Sequence, residues 1–144
     1  MAEFNYSMSN TVASLKQCQR ALENSEVYQQ MPSSLRFVTE LILDELASNT
    51  IKYGGPGRHT IDMRVHFDGE ELLVTLEDDG LPFNPWEAAP MGDLETENIQ
   101  DLAIGGRGIH MLRQATDERR YEYTNGKNVI TLSRLVRRPL ANAA

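Results

Sequence analysis

The sequence predicts an α+β fold, a two-layer sandwich whose mostly antiparallel sheet is covered on one face by helices. Three observations predict it. Two early stretches, 11–30 and 33–53, carry apolar residues at helical spacing. Residues 60–67 and 71–78 alternate apolar and polar around Asp68-Gly69. Asn125-Gly126 lies between two further β-prone runs, a strong hairpin signal. Strands joined by such short turns pair antiparallel, and the apolar helix faces need a sheet face to cover.

In chain order, FNYSMS reads as a short edge strand. TVASLKQCQRALENSEVYQQ follows as one helix, with Val12, Leu15, Cys18 or Gln19, and Leu22 on one side and Asn10 or Thr11 as its cap. Pro32-Ser33-Ser34 opens a second helix that Gly54-Gly55 ends. Its stripe runs Leu35, Val38, Leu41 or Ile42, then Glu45 or Leu46, then Asn49. In TIDMRVHF, Ile61, Met63, Val65 and Phe67 share a face; in ELLVTLED, Leu72, Val74, Leu76 and Asp78 do. Residues 80–104 hold Pro82, Pro85 and Pro90 and little periodicity, as functional loops often do. IHMLRQATDE reads as a helix with Ile109, Leu112 and Ala115 or Thr116 inward. The tail from 137 to 144 is expected to fray.

The 144 residues suit one domain, expected over 1–144. A formal net charge of −7 argues against a protein that holds nucleic acid by overall charge. Cys18 is the only cysteine, and His59, His66 and His110 lack zinc-site spacing. No secretory leader and no stretch near the roughly 20 apolar residues of a membrane span is visible. A cytoplasmic protein without membrane or nucleic-acid partners is the expectation.

Three places break the apolar pattern. Glu45 and Asn49 stand four residues apart on one helical face. They read either as a partly exposed helix end or as a proton acceptor beside a magnesium ligand, since an unpaired buried carboxylate is costly. Asp78-Asp79-Gly80 reads either as a turn or as an inward carboxylate for a nucleobase amino group, with Gly80 admitting close approach of a flat ring. Gly105-Gly106-Arg107-Gly108 before a helix reads either as a flexible connection or as a phosphate cradle of free N–H groups. Jointly they describe the base, metal and phosphate contacts of one nucleotide.

DELASNTIKYG, DDGLPFNP and GGRGIHML, in that order, resemble the N, G1 and G2 boxes of the GHKL ATPase superfamily, which includes histidine-kinase catalytic domains. The DDGxPF and GGxG forms are most similar to RsbW-type anti-sigma-factor serine/threonine kinases. The resemblance covers about 35–133 and implies a Bergerat-type sandwich, a mixed but largely antiparallel sheet under helices. It implies ATP and Mg²⁺, with Glu45 as general base and Asn49 as the metal ligand. It also implies Lys52 near the phosphates, Asp78 and Gly80 at the adenine, and Gly105, Gly106, Arg107 and Gly108 around the phosphates, with 86–104 as a lid. Arg107 stands where many relatives have Leu.

The implied activity transfers phosphate from ATP to a serine or threonine of a STAS-domain anti-anti-sigma protein, in a partner-switching pathway of bacterial transcription control. The other implied partner is a sigma factor, and a homodimer paired through the sheet or first helix is left open. The alternative is a nucleotide-holding partner-binding module that transfers nothing. A histidine-kinase fragment fits less well, because no His precedes His59. A plain α+β interaction domain is the remaining reading.

Overall fold

The computed structural model of the chain describes residues 2–87 and 107–137, without the side chains of Ala2 and Arg107. The elements are β1 (Ala2–Ser9), α1 (Val12–Glu23), α2 (Glu26–Gln30), α3 (Ser33–Tyr53), β2 (Thr60–Phe67), β3 (Glu71–Asp78), α4 (Arg107–Ala115), β4 (Glu118–Thr124) and β5 (Lys127–Leu135). The strands form one sheet in the order β1-β2-β3-β5-β4. Every neighbouring pair is antiparallel, so the described sheet is antiparallel throughout rather than mixed.

Period-two alternation sets the layers. Phe4 and Met8 of β1, Ile61 to Phe67 of β2, Leu72 to Leu76 of β3, and Ile130 and Leu132 of β5 are buried at alternate positions. They meet Leu15, Cys18 and Leu22 of α1, Val27 of α2, Leu35 to Leu46 of α3, and Ile109 and Leu112 of α4. The other sheet face carries Asn5, Ser7, Asp62, Arg64, Thr75 and Glu77 around a shallow trough. Cys18 is wholly buried, and burial pushes its thiol up to about 12, so it packs as a small hydrophobe.

The helix expected over 11–30 is two helices. Ser25 ends α1 by donating to the Leu22 carbonyl and begins α2 by accepting from the Tyr28 N–H, which breaks the axis between Glu23 and Glu26. Thr11 caps α1 as expected, accepting from the Ser14 N–H. α4 ends at Ala115, earlier than expected. Thr116 is buried, bonds the Leu112 carbonyl, and is followed at once by the backbone bond from Asp117 to Ser133 that leads into β4. The Asn125-Gly126 hairpin forms with φ of 54° and 76°, both in the left-handed region a type I′ turn requires.

Candidate active site

α3 brings the first candidate residues together. Leu35, Val38, Ile42 and Leu46 face the core, and the same stripe continues as Glu45 and Asn49, both half-buried. Burial raises the Glu45 carboxyl above its ordinary range; the neighbouring Asp44 adds to the rise and the Lys52 charge opposes it. Lys52 itself is exposed on the last turn of α3. A Cβ built on Gly108 would overlap the Glu45 carboxylate, so the start of α4 lies directly against it. The leading N–H groups of a helix have no intrahelical acceptor, and here that end faces an acid.

The second group gathers at the end of β3. Asp78 pairs in register with Ile61 on one side and Asn128 on the other, so period two turns its carboxylate inward. It is 7% exposed. Its Oδ1 accepts from the Gly80 N–H at 2.9 Å and the Asn128 amide at 2.9 Å, and its Oδ2 accepts from the Thr50 hydroxyl at 3.0 Å. Gly80 is needed for close approach: a Cβ there would stand 3.0 Å from the Gly54 Cα and 3.1 Å from Asp78 Oδ1. The Leu81 N–H donates to the Gly54 carbonyl at 2.9 Å, and the Tyr53 and Phe83 rings stack at 4.9 Å. The end of α3 and the segment after β3 are thus joined by backbone and by aromatic contact.

Between them lies a narrow crevice with a cavity volume of about 10 Å³, room for about one water, lined by Leu46, Asn49, Thr50, Gly54, Asp78, Leu81, Phe83, Pro85, Asn128 and Ile130. It holds aliphatic walls, one inward carboxylate and one half-buried amide, the mixture expected of a small-molecule site. Asn49 and Asp78 line this cleft together, Gly80 stands against the lining residues Gly54 and Asp78, and Glu45 lies one helical turn along α3 from Asn49 beside Gly108. Gly105 and Gly106, the Arg107 side chain, and the expected lid beyond residue 87 lie outside the described residues. A wider trough on the outer sheet face, by Glu71, Leu73, Glu118, Arg120 and Thr131, holds none of the motif residues and lacks an inward acid. The chemistry argues for the narrower cleft.

Sequence reasoning missed Thr50, Asn128 and Tyr121. Asn128 is 2% exposed. Its parity with Ile130 and Leu132 is the same inward-polar signal that marked Asp78. It accepts from the Phe83 N–H at 3.0 Å and the Tyr121 hydroxyl at 2.5 Å, and donates to the Leu81 carbonyl at 2.9 Å. For Mg²⁺, the fit rests on Asn49, which lines the cleft and whose side-chain amide carries an oxygen able to ligate the ion. Among the described residues no three His, Cys, Asp or Glu side chains cluster as a metal cage. Magnesium usually takes one or two protein oxygens and completes its shell with phosphates and water, a donor set that Asn49 can serve.

Comparison with known proteins gives a family. Residues 8–134 match the histidine kinase-like ATPase domain. No curated protein matches by sequence. Among solved structures, the chain resembles the RsbU and RsbW domains of Rv1364c from Mycobacterium tuberculosis, with a TM-score of 0.62 and 14% identity over 96% of this chain. It spans only 34% of that longer chain. It also resembles a chain of the SiaB-SiaC complex from Pseudomonas aeruginosa, with a TM-score of 0.55 and 15% identity over 92% of this chain and 89% of that one. These likenesses are of fold. No helix among the described residues is long and apolar enough to cross a membrane.

Proposed function

The chain belongs to the histidine kinase-like ATPase domain family, and from that premise we propose that it is an ATP-dependent protein serine/threonine kinase that doubles as an anti-sigma factor. Its protein substrate is a STAS-domain anti-anti-sigma partner, and its second partner a sigma factor. The observation that carries the reading is the Glu45 carboxylate. It lies against the start of α4, on the same face of α3 as Asn49, which lines the cleft of Asp78. An ATP-binding module with no transfer chemistry does not need an acid there.

ATP enters as substrate, with its adenine amino group on the remaining lone pair of Asp78 Oδ2 and Gly80 beneath the ring. Asn49 is the residue that would hold Mg²⁺, which when bound supplies charge neutralisation on the phosphates. Gly105, Gly106, Arg107 and Gly108 are assigned to the phosphates, and Lys52 to their outer side. The serine oxygen forms a bond to the γ-phosphorus while the bond from that phosphorus to the bridging oxygen of ADP breaks. The serine proton passes to Glu45, whose raised pKa brings it nearer neutrality, where a general base works best while still ionised.

The test is transfer of labelled γ-phosphate to a STAS-domain protein, with wild type and Glu45→Ala. Loss of about a hundredfold or more in the variant, with nucleotide affinity kept, is expected of a general base. Equal transfer by both chains removes Glu45 from the chemistry. Binding without transfer by the wild type leaves a nucleotide-switched binding module in place of the kinase.

A further inference from the structure

Asn128 belongs to none of the three sequence blocks, yet it contacts more of the cleft's polar groups than any other described side chain there. Its amide orientation is forced. The NH₂ end faces three acceptors, Asp78 Oδ1 at 2.9 Å, the Leu81 carbonyl at 2.9 Å and the Gly80 carbonyl at 3.4 Å. The oxygen faces two donors, the Phe83 N–H and the Tyr121 hydroxyl. A flipped amide would set oxygen against a carboxylate and NH₂ against an N–H.

We propose that Asn128 is a positioning residue that sets base specificity, making the Asp78 carboxylate a single-acceptor reader that takes adenine and disfavours guanine. The reasoning is an inventory of lone pairs. A carboxylate has about four acceptor sites, two on each oxygen. The Gly80 N–H and Asn128 fill Oδ1, and the Thr50 hydroxyl takes one site on Oδ2. One site is left, enough for one N–H of the adenine amino group. Guanine presents an acceptor at the corresponding atom and two adjacent donors, N1–H and the 2-amino group, which pair best with both oxygens of a free carboxylate. By occupying Oδ1, Asn128 withdraws the second oxygen from such a bidentate contact.

This inference rests on the ATP-binding reading, and the experiment separates the two. Binding of fluorescent ADP and GDP analogues is titrated against wild type, Asn128→Thr and Asn128→Val. Thr and Val share a shape and suit a strand, but only Thr can still donate to Asp78 Oδ1. Both lose the clamp on Leu81, so general loosening affects them alike. The expected result is that Asn128→Thr keeps the preference for ADP, while Asn128→Val lowers the ratio of ADP to GDP affinity by about tenfold, the scale of one hydrogen bond. An unchanged ratio in Asn128→Val, or an equal fall in both variants, overturns the proposal while leaving ADP binding intact. No binding of either analogue by the wild type overturns the nucleotide reading and this inference with it. Should Asn128→Val fail to fold, Asn128→Ala frees the same lone pair and is held to the same ratio.

Discussion

Asp78 and Glu45 are both carboxylates in a partly apolar setting, but their partners make them different groups. Asp78 is held by three donors, the Gly80 N–H, the Asn128 amide and the Thr50 hydroxyl. Asp78→Asn keeps one oxygen for Gly80 and Asn128, and Thr50 can turn to accept, so the fold should persist. It replaces the free acceptor with an N–H. Losing a charge-assisted hydrogen bond of about 1.5–3 kcal/mol weakens ATP binding roughly 10- to 100-fold, measurable by titration calorimetry. Among the described residues no such set of donors holds Glu45, and burial raises its pKa. Ionising it therefore costs more in the folded chain than in the unfolded one. The penalty is absent below the ordinary carboxylate pKa and grows as pH rises through the interval up to the raised value. Glu45→Gln removes it. The variant should melt above wild type at about pH 8, and the difference should vanish near about pH 4. A constant difference across that range would mean that packing, not ionisation, separates the two chains.

At the scale of elements, the site is a junction between the end of α3 and the segment after β3. Gly55 has φ of +92°, and a Cβ there would stand 2.8 Å from Leu81 Cδ1. Gly55→Ala should cost about 1–2 kcal/mol for the left-handed backbone alone, seen as a lower urea midpoint. It should also weaken nucleotide binding, because Leu81 lines the cleft. Gly108→Ala acts at the other junction, where its methyl group must displace Glu45 or α4. A misplacement of about 1 Å lowers a transfer rate roughly a hundredfold, so γ-phosphate transfer should fall by more than ADP affinity does. These junctions also mark what was legible in the sequence. The 33–53 helix, the 60–67 and 71–78 hairpin and the inward parity of Asp78 follow from periodicity, because burial on one face enforces it. The break at Ser25 did not, because a single side chain serving two helix ends leaves the apolar spacing nearly intact. Asn128 carried the inward parity, but its partner was hidden for another reason. Its role depends on the register of β5 against β3, a long-range pairing that no local window contains.

At the scale of the whole molecule, nucleotide binding and stability are one equilibrium. The cleft takes side chains from α3, β3 and β5, and Leu46 and Ile130 belong both to its wall and to the main core. A ligand seated there contacts both layers of the sandwich and stabilises the folded chain as a unit. At about 100 times its Kd, such a ligand adds ~2.7 kcal/mol to the free energy of unfolding. For a chain near this length, each kcal/mol raises Tm by about 2–4 °C, so Mg-ATP should raise it by roughly 5–11 °C. Asp78→Asn, with its affinity lowered roughly 10- to 100-fold, should keep only about 0.4–1.4 kcal/mol at the same concentration. Glu45→Ala should keep the full shift, because it removes a group assigned to the serine proton and not to the nucleotide. That pattern, a shift lost with Asp78 and kept without Glu45, distinguishes the binding end of the site from its chemical end in one melting experiment. A wild-type chain whose Tm does not move with Mg-ATP at high concentration would overturn the assignment of the cleft to ATP.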